Sequence, residues 1–341
     1  MELIYGTERW TGPEKGPLYL ALGNFDGVHL GHQTIIESAV RQALAGGGTS
    51  AALIFDPHPS MLLRPGQPFA LLTDIVDRAE MMADLGLDYL IVEPFTVELA
   101  ALTPEQFVRL FLQKRLGVSG VVVGNDYSFG HRGAGSAETM RQWGNTLGFS
   151  VDICRLVRYG QRNVSSSEIR KLLTEGAVEA AARLLNYYFF RRGRVVHGRG
   201  IGGKLLFPTA NISALPHLIW PGCGVYLTAV GGFRDRPRFA VTNVGCKPTF
   251  ALETAGVETH ILDFEGDLYH RELSVHFLEK LRDTRTFESA DQLKKQIYLD
   301  IERSRELIEN RFRALPVGRK GFDRLGLAVD YEKNSGKRVT I

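Results

Sequence analysis

The sequence has few cysteines, no long apolar run and almost no excess of charge, and each shortage removes a class of protein. Its three cysteines, Cys154, Cys223 and Cys246, are widely spaced and include no C-x-x-C pair. That argues against a disulfide framework or a zinc knuckle and fits three reduced thiols in a reducing compartment. No stretch approaches the roughly 18 consecutive apolar residues of a membrane span. The opening residues, MELIYGTERW, lack the basic segment and apolar run of a secretory signal. A cytoplasmic protein with no membrane partner is expected. Lys and Arg (41) nearly balance Asp and Glu (38), leaving a net charge of +3. No general electrostatic excess draws nucleic acid, so none is expected as a partner. Internal repeats and low-complexity tracts are also missing, as is the GK[ST] ending of a Walker A loop.

What is present is 341 residues of ordinary globular composition, 44% hydrophobic and 23% charged, enough for two domains that each bury a core. The first half alternates apolar strands with amphipathic segments. Strands are predicted at 18–22, 51–55, 89–92, 120–123 and 149–154, and a helix carries Ile35, Ile36, Ala39, Val40 and Ala43 on one face. A parallel sheet in an α/β domain follows. Thr103, Pro104 and Gln106 form a capping box for a helix that Gly117 ends. Beyond residue 186 the pattern turns β-rich, with strands predicted at 194–196, 225–230, 239–244, 259–264 and 273–281 and turns such as Gly231-Gly232 between them. An antiparallel barrel or sandwich is expected, then a helix over 289–310. The division is therefore 1–186, 187–312 and a glycine-containing basic extension at 313–341.

The segment Gly23-Asn24-Phe25-Asp26-Gly27-Val28-His29-Leu30-Gly31-His32 joins the first strand to the first helix, where open α/β sheets bind ligands. Backbone N–H groups at a helix start can hold phosphate, His29 and His32 can donate to it, and Gly31 lets the backbone approach. Histidines so spaced can also ligate metal, but no third ligand stands at sensible spacing, which argues against zinc. Three later segments fall at the same sheet edge: Phe55-Asp56-Pro57-His58-Pro59, then Gly124-Asn125-Asp126-Tyr127-Ser128-Phe129-Gly130, and Val164-Ser165-Ser166-Ser167-Glu168-Ile169-Arg170. The serine run can cap a helix and offer hydroxyls to phosphate, with Arg170 supplying charge.

GNFDGVHLGH, FDPHP, GNDYSFG and VSSSEIR, in this order, resemble the adenylyltransferase module of bacterial bifunctional riboflavin kinase/FAD synthetases over most of residues 15 to 186. The resemblance implies a Rossmann-like nucleotidylyltransferase domain. His29 and His32 would grip ATP. Gly23, Asn24, Phe25, Asp26, His58, Gly124, Asp126, Phe129, Ser165, Ser166, Ser167 and Arg170 would line the nucleotide and flavin sites.

In the second half, Gly198, Gly202 and Lys204 belong to a glycine-rich loop suited to lie over a nucleotide, and it leads into Phe207-Pro208-Thr209-Ala210-Asn211-Ile212. The Thr209 hydroxyl and the Asn211 amide oxygen are hard ligands suited to Mg²⁺ shared with phosphates. FPTANI, PGCGVY, VTNVGCKPTF and VETHILDF resemble the riboflavin kinase module of the same family over roughly 187 to 310. That implies a small antiparallel β-barrel with a terminal helix. Glu258 would be the base for the ribityl hydroxyl, with Pro208, Asn243 and Thr249 near the substrates. The chain departs from the family pattern at Gly203, Leu206 and Thr284.

The implied activities are phosphorylation of riboflavin to FMN and adenylylation of FMN to FAD, each consuming ATP, with Mg²⁺ as cofactor. An alternative keeps the FAD synthetase and makes the second half a degenerate kinase that senses flavin. Thr209, Asn211 and Glu258 weigh against it, since sensing requires neither metal ligands nor a base. A third reading transfers the adenylyl group to another phosphate-bearing acceptor, and only the family resemblance disfavours it.

Overall fold

The structure is a computed structural model and describes residues 1–197, 207–213, 215–233, 236–245 and 256–312. The chain divides into two compact units, residues 1–166 and the described residues from 167 onward.

The first unit is built on six strands: β1 (Glu2–Tyr5), β2 (Leu18–Leu22), β3 (Thr49–Asp56), β4 (Tyr89–Pro94), β5 (Val118–Gly124) and β6 (Ser150–Cys154). They form one sheet in the order β1-β4-β3-β2-β5-β6, and every pairing is parallel. Central strands of such a sheet are covered on both faces and read as unbroken apolar runs. Accordingly, residues 49 to 54 of β3 are all buried. The helices are α1 (Leu30–Gly46), α2 (Pro59–Leu63), α3 (Ile75–Asp84), a helical stretch from Pro104 to Leu116 here called α4, and α5 (Ala137–Leu147). Leu18, Leu20, Leu22, Leu53, Ile91, Val121 and Val123 meet Phe107, Phe111, Leu112 and Met140 in the core. Each such side chain contributes about 1.5 to 3 kcal/mol on burial.

The strands predicted for this unit are present, and the structure adds β1, a short edge strand of half-exposed residues. The capping box at Thr103 is formed, with Gln106 N–H donating to Thr103 Oγ1 at 3.2 Å and Thr103 N–H to Gln106 Oε1 at 2.9 Å. Beyond it the helix winds with π geometry over Phe107–Leu116 and ends at Gly117 in the left-handed region.

The second unit begins with α6 (Ser166–Thr174, whose first residue belongs to the first unit) and α7 (Val178–Leu185). Six strands follow: β7 (Phe190–Val196), β8 (Ala210–Ile212), β9 (Gly224–Gly231), β10 (Arg238–Gly245), β11 (Gly256–Ile261) and β12 (Glu272–Arg282). They close into a barrel in the order β7-β8-β11-β10-β9-β12, so of the two expected architectures the barrel is the one observed. A helix, α8 (Ala290–Arg311), packs Ile297, Ile301 and Ile308 with Val225, Leu227, Val241 and Leu278 of the barrel wall. The opposite strand faces carry a buried row of hydroxyls, Thr228 to Thr242 at 2.8 Å and Thr242 to Thr259 at 3.1 Å. Each hydroxyl there has the partner that burial demands.

The expectation of three reduced thiols is corrected at Cys223, which is disulfide-bonded, whereas Cys154 is free. Spacing along a chain does not measure distance across paired strands, and Cys223 stands at the head of the β9–β10 pairing.

His276 on β12 is 2% exposed. Its ring stacks on Phe190 at 4.9 Å, and Nε2 lies 3.1 Å from Ser274 Oγ. Burial, aided by the charge of Arg192, pulls its pKa down to about 3. Below the ordinary value near 6.5, the unfolded chain takes up a proton that the folded chain refuses. Stability is therefore lost as pH falls from about 6.5 towards 3, by about 2 kcal/mol at pH 5. Urea unfolding at about pH 7.5 and pH 5 should show this loss in the wild type and much less of it in His276→Phe. An equal acid response in both proteins would assign the loss to other groups.

Candidate active sites

The sheet order sets β2 beside β5, and the chain leaves β2 towards β3 on one side and β5 towards β6 on the other, so the connections diverge between these two strands. Ligands bind at such a switch point, outside the carboxyl ends of the strands. There the loop after β2 and the loop after β5 border a cavity of about 210 Å³. Gly23, Phe25, His29, Gly31, His32, Gly124, Asp126, Tyr127, Arg155, Ser165 and Ser166 are among its lining residues.

His29 is the N-cap of α1, its Nδ1 accepting from the His32 backbone N–H at 3.3 Å. An acceptor Nδ1 means that neutral His29 carries its proton on Nε2. The His29 and His32 rings stack at 3.5 Å between centroids, and Phe25 meets His32 edge-on at 5.3 Å. The first turn of α1 has no acidic residue, so its positive end is left for an anion. The cavity thus offers ring donors, backbone N–H groups, two serines and one arginine to a phosphorylated ligand.

Other expected residues have different places. The Asp26 carboxylate accepts from the backbone N–H groups of Leu72 and Thr73 at 3.0 Å. Asn24 Oδ1 accepts from Phe55 N–H at 3.3 Å. His58 caps α2 through Ser60 N–H and lies against Phe69. Phe129 is buried in the core beside Phe107 and Tyr127. Ser167 and Arg170 follow Ser166 on α6 and do not line the cavity. Arg155 went unnoticed in the sequence; its signal was a cation directly after a strand that ends at the ligand edge. Cys154 beside it is no nucleophile at neutral pH, because burial, with the charge of Asp152, pushes its thiol up to about 12.

In the second unit, strand register assembles the site. On β11, Glu258 is paired with Asn211 of β8 on one side and with Asn243 of β10 on the other. Side chains alternate along a strand. Glu258 and His260 thus face a cavity of about 820 Å³ with Phe207, Thr209, Val225, Val241, Asn243, Arg282 and Phe287. Thr259 and Ile261 face another, of about 560 Å³, with Pro208, Thr209, Phe264, Asp267 and Tyr269. Thr209 borders both. The Pro208 carbonyl accepts from His260 Nδ1 at 2.9 Å, which ties the segment carrying Thr209 to the strand carrying Glu258. Arg282 holds Asp300 of α8 by paired bonds of 2.8 to 3.1 Å. Phe264, Asp267, Tyr269 and His260 were not singled out from the sequence. Gly198, Gly202, Lys204 and Thr249 lie outside the described residues, as does the extension from 313.

The family model described as FAD synthetase matches residues 12–168, and that described as riboflavin kinase matches residues 185–308. The class is therefore that of flavin nucleotide enzymes carrying both modules on one chain. Curated relatives named bifunctional riboflavin kinase/FMN adenylyltransferase include one from Escherichia coli K12, 33% identical over 90% of this chain and 97% of that protein. Another, from Listeria monocytogenes, is 35% identical over 88% of this chain and 94% of that protein. A solved structure from Streptococcus pneumoniae, described as a macrolide-efflux protein, is 30% identical with a TM-score of 0.81, covering 89% of this chain and 98% of that one. Among the described residues here, no helix is long and apolar enough to cross a membrane. The chain belongs to the bifunctional riboflavin kinase/FMN adenylyltransferase family.

The loop before α1 depends on Gly27, whose φ is +87° and where a Cβ would lie 2.7 Å from Leu72 Cδ1. Gly27→Ala should therefore destabilise the first unit by more than about 1 kcal/mol, the sum of backbone strain and clash. Urea unfolding followed by tryptophan fluorescence reads it, and an unchanged midpoint would mean that the loop yields without loss.

Proposed function

We propose that this chain phosphorylates riboflavin with ATP to give FMN and ADP in its 187–312 segment. In the 1–186 segment it adenylylates FMN with a second ATP to give FAD and pyrophosphate. The observation that carries this reading is that two units of one chain, each matched to its own module, hold separate cavities with the donors that each half reaction requires.

For adenylyl transfer, the FMN phosphate attacks the α-phosphorus of ATP and pyrophosphate leaves. A phosphate monoester is largely dianionic at neutral pH, its second pKa being about 6, so no base is needed. His29, His32 and the N–H groups at the start of α1 hold the triphosphate and meet the charge that develops on it. Ser165, Ser166 and Arg155, with Arg170 beyond them, are the further candidates for phosphate contact. Asp26 and Asn24 serve the same site by holding the loop, and Phe129 and His58 by shaping its surroundings.

For phosphoryl transfer the nucleophile is an alcohol, whose proton must leave. Glu258 accepts it. The larger cavity, walled by Phe207, Val225, Val241 and Phe287, suits the flat flavin ring. The smaller one, with Phe264 and Tyr269, suits a nucleotide. Thr209, bordering both, stands where phosphate would pass from one substrate to the other. Thr209 and Asn211 are hard oxygen donors that fit Mg²⁺, which when bound neutralises phosphate charge; the remaining ligands would come from phosphate and water. Gly198, Gly202, Lys204 and Thr249 stay candidates for nucleotide and flavin contact.

Consumption of ATP at both sites supports a cytoplasmic location, and among the described residues the bonded Cys223 speaks against a uniformly reduced chain. The net charge of +3 supports small-molecule partners rather than nucleic acid.

Purified protein given riboflavin and Mg-ATP should yield FMN and then FAD, separated by chromatography. Formation of FAD from added FMN alone, with none from riboflavin, would favour the flavin-sensing alternative. His29→Ala and His32→Ala should each slow FAD formation from FMN by about 100-fold while sparing FMN formation. Full retention of FAD synthesis in both would sink the role given to the histidines. Glu258→Gln should remove most riboflavin phosphorylation and leave FMN adenylylation near wild type, since an amide keeps the shape but accepts no proton. Undiminished phosphorylation would eliminate the general base.

A further inference from the structure

The loop from Gly23 to Val28 is held in a conformation that its sequence does not favour. Phe25 has φ +50° and Val28 φ +35°, values that a phenylalanine and a β-branched valine rarely adopt. Such a residue persists only where its surroundings over-determine it. Ser166 Oγ donates to the Asp26 carbonyl and Gln33 Nε2 to the Val28 carbonyl, each at 2.8 Å, and a further part of the surroundings is the segment of residues 72 to 78, which supplies no lining residue to the cavity.

Two clamps connect that segment to the loop. Thr73 Oγ1 accepts from Gly27 N–H at 2.9 Å and donates to Asp26 Oδ1 at 3.2 Å, while Asp26 also takes the backbone N–H groups of Leu72 and Thr73. Arg78, in the first turn of α3, is 2% exposed. Its Nη1 donates to the Asn24 carbonyl at 2.8 Å, Nε to the Asp74 carbonyl at 3.3 Å and Nη2 to the Thr73 carbonyl at 3.4 Å. Burial lowers the pKa of this guanidinium, and the charges of Asp26, Asp56, Asp74 and Asp77 oppose that. A buried cation whose donors go to one main-chain carbonyl of the strained loop and to two of the segment lying against it fixes peptide planes. A helix surface does not need it.

We propose that Arg78 is a positioning residue for adenylyl transfer, holding with Thr73 and Asp26 the strained loop that keeps Phe25, His29 and His32 in place around the cavity. This rests on the adenylyltransferase reading of that cavity. The chemistry is unchanged by it; Arg78 touches no substrate and acts through the loop.

The test measures FMN adenylylation by Arg78→Met, Arg78→Lys and Thr73→Val, well below the melting temperature of each, with riboflavin phosphorylation by the same samples as the control. Small displacements of positioning groups cost about 10- to 100-fold in rate. That loss, in kcat/KM for FMN adenylylation, is expected for Arg78→Met and Thr73→Val, with phosphorylation within about twofold of wild type. Arg78→Lys should recover part of the loss, because an ammonium can reach the Asn24 carbonyl but cannot serve three carbonyls in a plane. A role in stability alone would lower the melting temperature and leave turnover per folded molecule intact; adenylylation within about twofold of wild type in folded Arg78→Met and Thr73→Val overturns the proposal. Should Arg78→Met fail to fold, Thr73→Val decides by the same criterion. A wild-type protein that makes no FAD from FMN refutes the underlying reading instead, so the two failures are told apart.

Discussion

Slipping β11 by one residue against its neighbours would turn Glu258 away from Asn211 and Asn243 and put Thr259 in its place, because side chains alternate along a strand. Backbone pairing therefore carries the second site. Asn211, Glu258 and Asn243 come from three strands, and only the β8–β11–β10 register brings them into line. The same holds in the first unit, where parallel pairing of β2 with both β3 and β5 sets the loops after β2 and β5 beside one cavity. In both units the groups that line the cavities take their positions from the ladder, and the buried side chains hold the ladder in place.

With a net charge of +3, the chain has no broad field with which to attract polyphosphate. Attraction must be local, and the donors lining the cavity of the first unit are the stacked imidazoles, N–H groups at a helix start, two serines and Arg155. Such donors act only when aimed, which makes the shape of the Gly23–Val28 loop more important than its composition. Buried Arg78 joins the Asn24 carbonyl of this loop to the Thr73 and Asp74 carbonyls of the segment beside it.

Strands 18–22 and 120–123 were legible because both faces of a central parallel strand are covered, leaving an uninterrupted apolar run. β1 was not, since Glu2–Tyr5 is a partly exposed edge strand with no such run. Closure of the barrel rests on pairing β7 with β12, some eighty residues apart, and nothing local distinguishes that from the strands of a sandwich. Among the residues that line the cavities, His29, His32 and Glu258 stood out through their motifs. Arg78 and Arg155 were not, because a cation in a helix or just after a strand ordinarily reads as solvated surface. Asp26 was expected in the site, but which partners its carboxylate takes could not be read before residues 72 and 73 were known to lie against it.

The two units also differ in what their nucleophiles ask of them. A dianionic phosphate arrives without a proton to lose, so a site that orients it needs donors and no base, and a loop-to-helix junction of the α/β unit supplies them. An alcohol arrives protonated and needs an acceptor held at a fixed distance from the transferred phosphorus. A carboxylate in mid-strand, flanked on both sides by paired strands, is harder to displace than one on a loop. Barrel register therefore suits the phosphorylation half of the chemistry, as the switch point of the parallel sheet suits adenylylation. The protonation state of each nucleophile agrees with the module that each part of the chain matches.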